Sequence, residues 1–125
     1  MRSVRLSEIL AAVRSTTALP TLAPEDTGLP MAVRLLTRNA NPYGPRVEVS
    51  REHGQQMTKS RMVSVSISDD PGIVGAGWLS GEDLRLVRAW VLLNEDVLLG
   101  YWNHRLAPDD MMAALRPLGR PRGRK

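Results

Sequence analysis

Apolar residues recur with two different periods along this chain. Upstream of residue 80 the period is close to two, and downstream it is close to 3.6. Val63, Val65 and Ile67 alternate with Ser64, Ser66 and Ser68, which predicts a strand over 62–68 with one buried face. Met31, Val33 and Leu35 alternate with Arg34 and predict a strand over 31–37; Leu36 interrupts the alternation and implies that the second face is partly covered. Val47 and Val49 point inward and Arg46 and Glu48 outward in a strand that resumes at 46–49 and gives way to a polar loop over 51–59. The intervening Asn39-Ala-Asn-Pro-Tyr-Gly-Pro45 is dense in turn formers. Asp70-Pro71-Gly72 suits a type II turn, after which 73–79 would return as a fourth strand weakened by Gly75 and Gly77.

From Ser80 the pattern becomes helical. Ser80 supplies a hydroxyl cap, and Asp83 stands three residues on, as in a capping box. Leu84, Leu86, Val87, Trp90, Val91 and Leu93 follow; Asn94-Glu-Asp96 then begins a second helix carrying Leu98, Leu99, Trp102 and Leu106. Pro108 suits the first turn of a last short helix that Gly119 ends. Only Tyr43 of the five aromatic residues lies outside 78–102, so this block is expected to carry the core. Strands followed by helices predict an α+β fold: an antiparallel sheet of about four strands with two or three helices packed on one face. Near the start, Leu6, Ile9, Leu10 and Val13 form one apolar helical stripe, which predicts an extra N-terminal helix. The organisation is therefore 1–29 helix and linker, 30–118 α+β domain, and 119–125 a disordered basic tail.

Composition sharpens this picture in three places. With no Cys, thiolate chemistry and disulfides are excluded. The longest clean apolar run, 90–93, is far too short to span a membrane, and a cytoplasmic protein is expected. The net charge of +4 belongs to Arg120, Arg122, Arg124 and Lys125; without them the chain holds 13 basic and 13 acidic residues. A general nucleic-acid face is thus not implied, although these four tail residues provide a weak, salt-sensitive contact for one.

Candidate chemistry is sparse. Gly75-Ala-Gly77-Trp-Leu-Ser80 imitates a dinucleotide fingerprint, but Ser80 replaces the third glycine and no βαβ rhythm precedes it. The helix pair around Asn94 could form a helix-turn-helix, but its second helix begins with Glu95 and Asp96, which repel phosphate. His53 and His104 are isolated, and no His pair has metal-ligand spacing. No catalytic, cofactor or metal residues are assigned on this basis.

Three segments carry a resemblance. Leu84-Arg-Leu-Val-Arg-Ala-Trp90, Leu98-Leu-Gly-Tyr-Trp102 and Met112-Ala-Ala-Leu-Arg-Pro-Leu118 resemble the C-terminal half of a family of small bacterial domains of unknown function. That family runs L-x-L-V-x-x-W, E-L-L-x-x-W and I-x-P-L, with an N-P-P-H-x-H-V turn upstream. Here Asn41-Pro-Tyr-Gly-Pro-Arg-Val47 keeps the Asn-Pro and the Val, while Gly44 and Arg46 replace both histidines. The resemblance covers about residues 30–118. It implies a strand meander followed by helices, encoded beside a second small domain in toxin–antitoxin-like or regulatory pairs. No role of the family histidines transfers.

The expectation is a non-enzymatic protein-interaction module that binds a small protein or a second copy of itself. Leu6, Ile9, Leu10 and Val13, or Tyr43 and Arg46, are the candidate contacts. The alternatives are a nucleic-acid-binding regulator using the tail with Arg34, Arg46, Arg51 and Lys59, and a small nuclease or hydrolase toxin.

Overall fold

The computed structural model describes residues 20–40, 44–54 and 61–119. The stripe at Leu6, Ile9, Leu10 and Val13, the residue Tyr43 and the basic tail lie outside them. Five strands form one antiparallel sheet in chain order: β1 (Thr21–Leu22), β2 (Met31–Leu35), β3 (Arg46–His53), β4 (Met62–Ser66) and β5 (Ile73–Val74). A single helical turn, α1 (Pro24–Thr27), follows β1; α2 (Gly81–Leu93), α3 (Glu95–Trp102) and α4 (Pro108–Ala114) follow the sheet. The α+β expectation holds, with one strand more than the alternation suggests. That strand and α1 lie in the stretch read as linker, and they are core-forming: Leu22, Thr27 and Leu29 are all buried.

The register places Leu35, Val47 and Val65 in one cross-strand row and Val33, Val49 and Val63 in the next. These valines, with Leu35 and Met31, face Val87, Trp90, Val91, Val97, Leu98, Tyr101 and Met111 from the helices. Trp90 is wholly buried and Trp102 nearly so, as the helical spacing predicts. The opposite face of the sheet is polar, with Arg34 bridging to Glu48 (Nε–Oε1 2.9 Å). Ala32 and Leu36 on that face are nonetheless buried, in keeping with the broken alternation.

Asn94 joins the two long helices and is wholly buried. Its Nδ2 donates to Trp90 O (3.0 Å) and Arg116 O (2.9 Å), and its Oδ1 accepts from Arg116 N (2.7 Å). The chain after α4 is thereby pinned back onto the α2–α3 corner. Its far end is fixed too, because Leu118 N donates to Thr27 O (2.7 Å). A Cβ on Gly28, whose φ is +80, would lie 2.7 Å from Leu118 O, so only glycine permits this closure.

Four expectations are corrected. Gly72 lacks the positive φ that a type II turn needs at that position. Instead its N–H donates to Ser66 Oγ (3.0 Å) and its carbonyl accepts from Ser66 N (2.8 Å). The returning strand stops at Val74, because Gly75 and Gly77 take φ values of +80 and +110, outside any strand. The third strand does not end at Val49 but runs on to His53. Trp78, grouped in sequence with the core aromatics, is 59% exposed.

Candidate functional site

The prolongation of β3 is irregular. Val33 faces Val49 but Met31 faces His53, so residues 50–52 stand opposite Ala32 alone. This is a β-bulge with two extra residues on β3, a device that bends a strand and re-aims its side chains. Ser50 stabilises it, its buried Oγ accepting from Glu52 N (3.1 Å). The bulge carries Arg51, Glu52 and His53 towards the start of α2.

The second half of the site comes from the β5–α2 connection. A Cβ on Gly77 would lie 3.1 Å from Val63 Cγ2, so the glycine lets the connection press against β4. Trp78 follows directly. The Arg51 guanidinium lies over its ring, 4.3 Å from the centroid. Such a stack is worth about 0.5–2 kcal/mol, depending on how dry it is. Ser80 then caps α2, its Oγ accepting from Asp83 N (3.1 Å).

The capping box is only half made. Asp83 does not return its carboxylate to Ser80; both oxygens meet His53 Nε2, at 3.1 and 3.0 Å. The Asp83 side chain is 11% exposed and that of His53 60%. His53 is thus tied at one nitrogen to a nearly buried carboxylate and otherwise faces solvent. On the other side, Arg61 Nε pairs with Glu52 Oε2 (3.3 Å). Among the described residues, two buried atoms of this cluster have no hydrogen-bond partner: Arg51 Nε and Glu52 Oε1.

Arg51, Arg61, Trp78, Leu79, Ser80 and Asp83 line a cleft of about 190 Å³. Its charge pattern follows from the pairings. Glu52 is engaged by Arg61 and Asp83 by His53, and among the described residues no ion pair involves Arg51. The arrangement therefore offers a planar cation, a second arginine and an exposed indole at one place.

The predicted site residues fall elsewhere. Arg46 opens β3 and is 8% exposed; its guanidinium packs 5.9 Å from the Trp102 ring and donates to Gly44 O (3.2 Å). It braces the sheet against α3. Arg34 is engaged by Glu48 on the polar sheet face. His104 sits just past α3 at φ 62, its Nε2 3.4 Å from Asn39 Oδ1. It is not brought to His53. Among the described residues no group of three His, Cys, Asp or Glu is placed to hold a metal, and no helix is long and apolar enough to cross a membrane.

Arg51 was legible as a loop arginine and Ser80 as a cap. Trp78, Arg61 and the His53–Asp83 pair were not assigned, because their proximity spans 30 residues of chain and depends on the bulge. One signal was present: Trp78 follows two closely spaced glycines and falls outside both apolar stripes. No family model, curated protein or solved structure matches the chain.

Proposed function

We propose that this chain is a non-enzymatic protein-interaction module, one member of a toxin–antitoxin-like or regulatory pair of small proteins. The observation that supports it is Trp78, a large aromatic side chain presented to solvent on a glycine-shaped connection and stacked under Arg51. Trp and Arg are enriched among the few residues that carry most of the binding energy of protein interfaces. An exposed indole stiffened by a guanidinium has already lost much of the freedom that binding would remove. The pairing with a second small protein draws on the resemblance of 84–90, 98–102 and 112–118 to the small bacterial domain family. Leu6, Ile9, Leu10 and Val13 are a further contact surface in this reading.

A second reading, a nucleic-acid-binding regulator, draws on the same cluster: an exposed indole between two arginines resembles a base-stacking platform. Affinity capture with the full chain separates the two. Trp78→Ala should reduce recovery of a wild-type protein partner about 30-fold, the effect of a typical interface anchor. If the wild-type chain recovers nucleic acid and no protein, and its binding falls steeply with salt, the second reading replaces the first.

A further inference from the structure

We infer that the cleft between Arg51, Arg61 and Trp78 is a carboxylate-binding site that takes an acidic side chain of a protein partner. This rests on the interaction-module reading and names the chemistry of the partner.

Arg51 carries the argument. A guanidinium has five N–H donors, all lying in its plane. Stacking on Trp78 occupies the flat face and leaves the in-plane donors for an acceptor. Among the described residues none accepts from Arg51 Nε, which is buried and unpartnered, and none forms an ion pair with Arg51. A buried donor of a charged group left in this state is costly, and an acceptor brought from outside the chain would remove that cost. The carboxylates nearby are turned elsewhere, Glu52 Oε2 to Arg61 and Asp83 to His53, and Glu52 Oε1, itself unpartnered, makes no bond to Arg51. Neither carboxylate is thus turned to Arg51.

Geometry and size select the anion. A carboxylate matches the edge of a guanidinium with two parallel hydrogen bonds. The cleft volume of about 190 Å³ is below the range of roughly 300–1,000 Å³ that encloses a drug-sized small molecule. It suits the end of one Asp or Glu side chain. The Trp78 indole at the rim then covers the methylene groups and backbone that follow.

The test follows the Arg51 Nε–H and Trp78 Nε1–H resonances of the full chain by nitrogen-15 NMR. The probes are the capped peptide acetyl-Ala-Glu-Ala-amide, its Gln counterpart, inorganic phosphate and an oligothymidylate. The Glu peptide should move both resonances together and saturate. The Gln peptide should bind about tenfold more weakly or worse, the worth of a hydrogen bond to a charged group. Arg51→Lys should abolish the response, since a point charge lacks the fork; should that variant not fold, Trp78→Ala, altered at an exposed position, should weaken the Glu peptide severalfold. Equal responses to Glu and Gln, no response at all, or a tighter response to phosphate or oligothymidylate would each overturn the carboxylate assignment. A silent titration with a Trp78-dependent protein partner would sink this inference alone. A carboxylate response without such a partner would sink the interaction-module reading and leave the site.

Discussion

Asn94 shows how much one side chain decides here. It is wholly buried and has no apolar function, yet it supplies three hydrogen bonds that join α2 to the segment after α4. Asn94→Ala removes all three and strands the Arg116 amide and carbonyl; at roughly 1 kcal/mol per bond, a loss of about 2–3 kcal/mol is expected in urea unfolding. Trp90 is the opposite case. Its ring is completely buried, but its Nε1 has no partner. Trp90→Phe removes that orphan donor along with some volume, whereas Trp90→Ala leaves a cavity costing about 3–5 kcal/mol. The Phe variant should recover more than half of the stability that the Ala variant loses. Tyr101 makes stability depend on pH in alkali. Burial pushes its phenol above the usual value of 10.0, because the phenolate would have to shed water. The unfolded chain then releases this proton first as pH rises. The Tyr101 contribution is therefore complete below pH 10 and is lost progressively above it, so denaturation midpoints should fall from there. Tyr101→Phe should flatten that decline.

The elements show where local rules hold and where they yield. Alternation placed the valines of β2, β3 and β4, and the 3.6 period placed Val87, Trp90 and Val91, since each pattern has a buried face to satisfy. Ends were harder. β5 is cut short by backbone conformation at Gly75 and Gly77, and β3 is lengthened by a bulge whose partner strand is distant in sequence. The α2 cap was legible in Ser80, but the diversion of Asp83 to His53 was not, because it crosses from helix to sheet. At the end of α3, His104 holds a left-handed φ of 62, where glycine is favoured. Relief of about 1–2 kcal/mol of steric cost, set against the greater chain entropy of glycine, predicts that His104→Gly stabilises by about 0.5–1 kcal/mol in thermal unfolding. Gly28→Ala should do the reverse, with a loss of about 2 kcal/mol or more, because the new methyl meets backbone at Leu118 and the closing segment must detach.

In the assembled molecule, stability concentrates in the centre of the sheet. β3 pairs with β2 on one side and, over Arg46–Ser50, with β4 on the other, while β1 and β5 at the edges have two residues each. Hydrogen exchange should be slowest at the amides of Val47, Val49, Val63 and Val65 and much faster at the edge strands, since edges open without disturbing the core. Uniform protection across all five strands would contradict this. Trp78→Ala, by contrast, should leave unfolding within about 0.5 kcal/mol of wild type plus the loss of its arginine stack, because the ring is mainly in water.

The sequence alone determined the two periodicities, and hence an α+β domain with valine-rich strands under tryptophan-bearing helices. It also determined the electrically balanced body, because charge counting needs no coordinates. Those features are local, and apolar spacing along a strand or helix is read within a few residues. Only the tertiary structure decided that Trp78 faces solvent, that Arg46 braces the core, and that Arg51, Arg61, His53 and Asp83 share one end of the sheet. These depend on a three-against-one strand register, on the approach of Gly77 to a distant strand, and, for Arg46, on the docking of α3 against the sheet. Such contacts are fixed by packing between segments far apart in the chain, and no spacing within either segment encodes them.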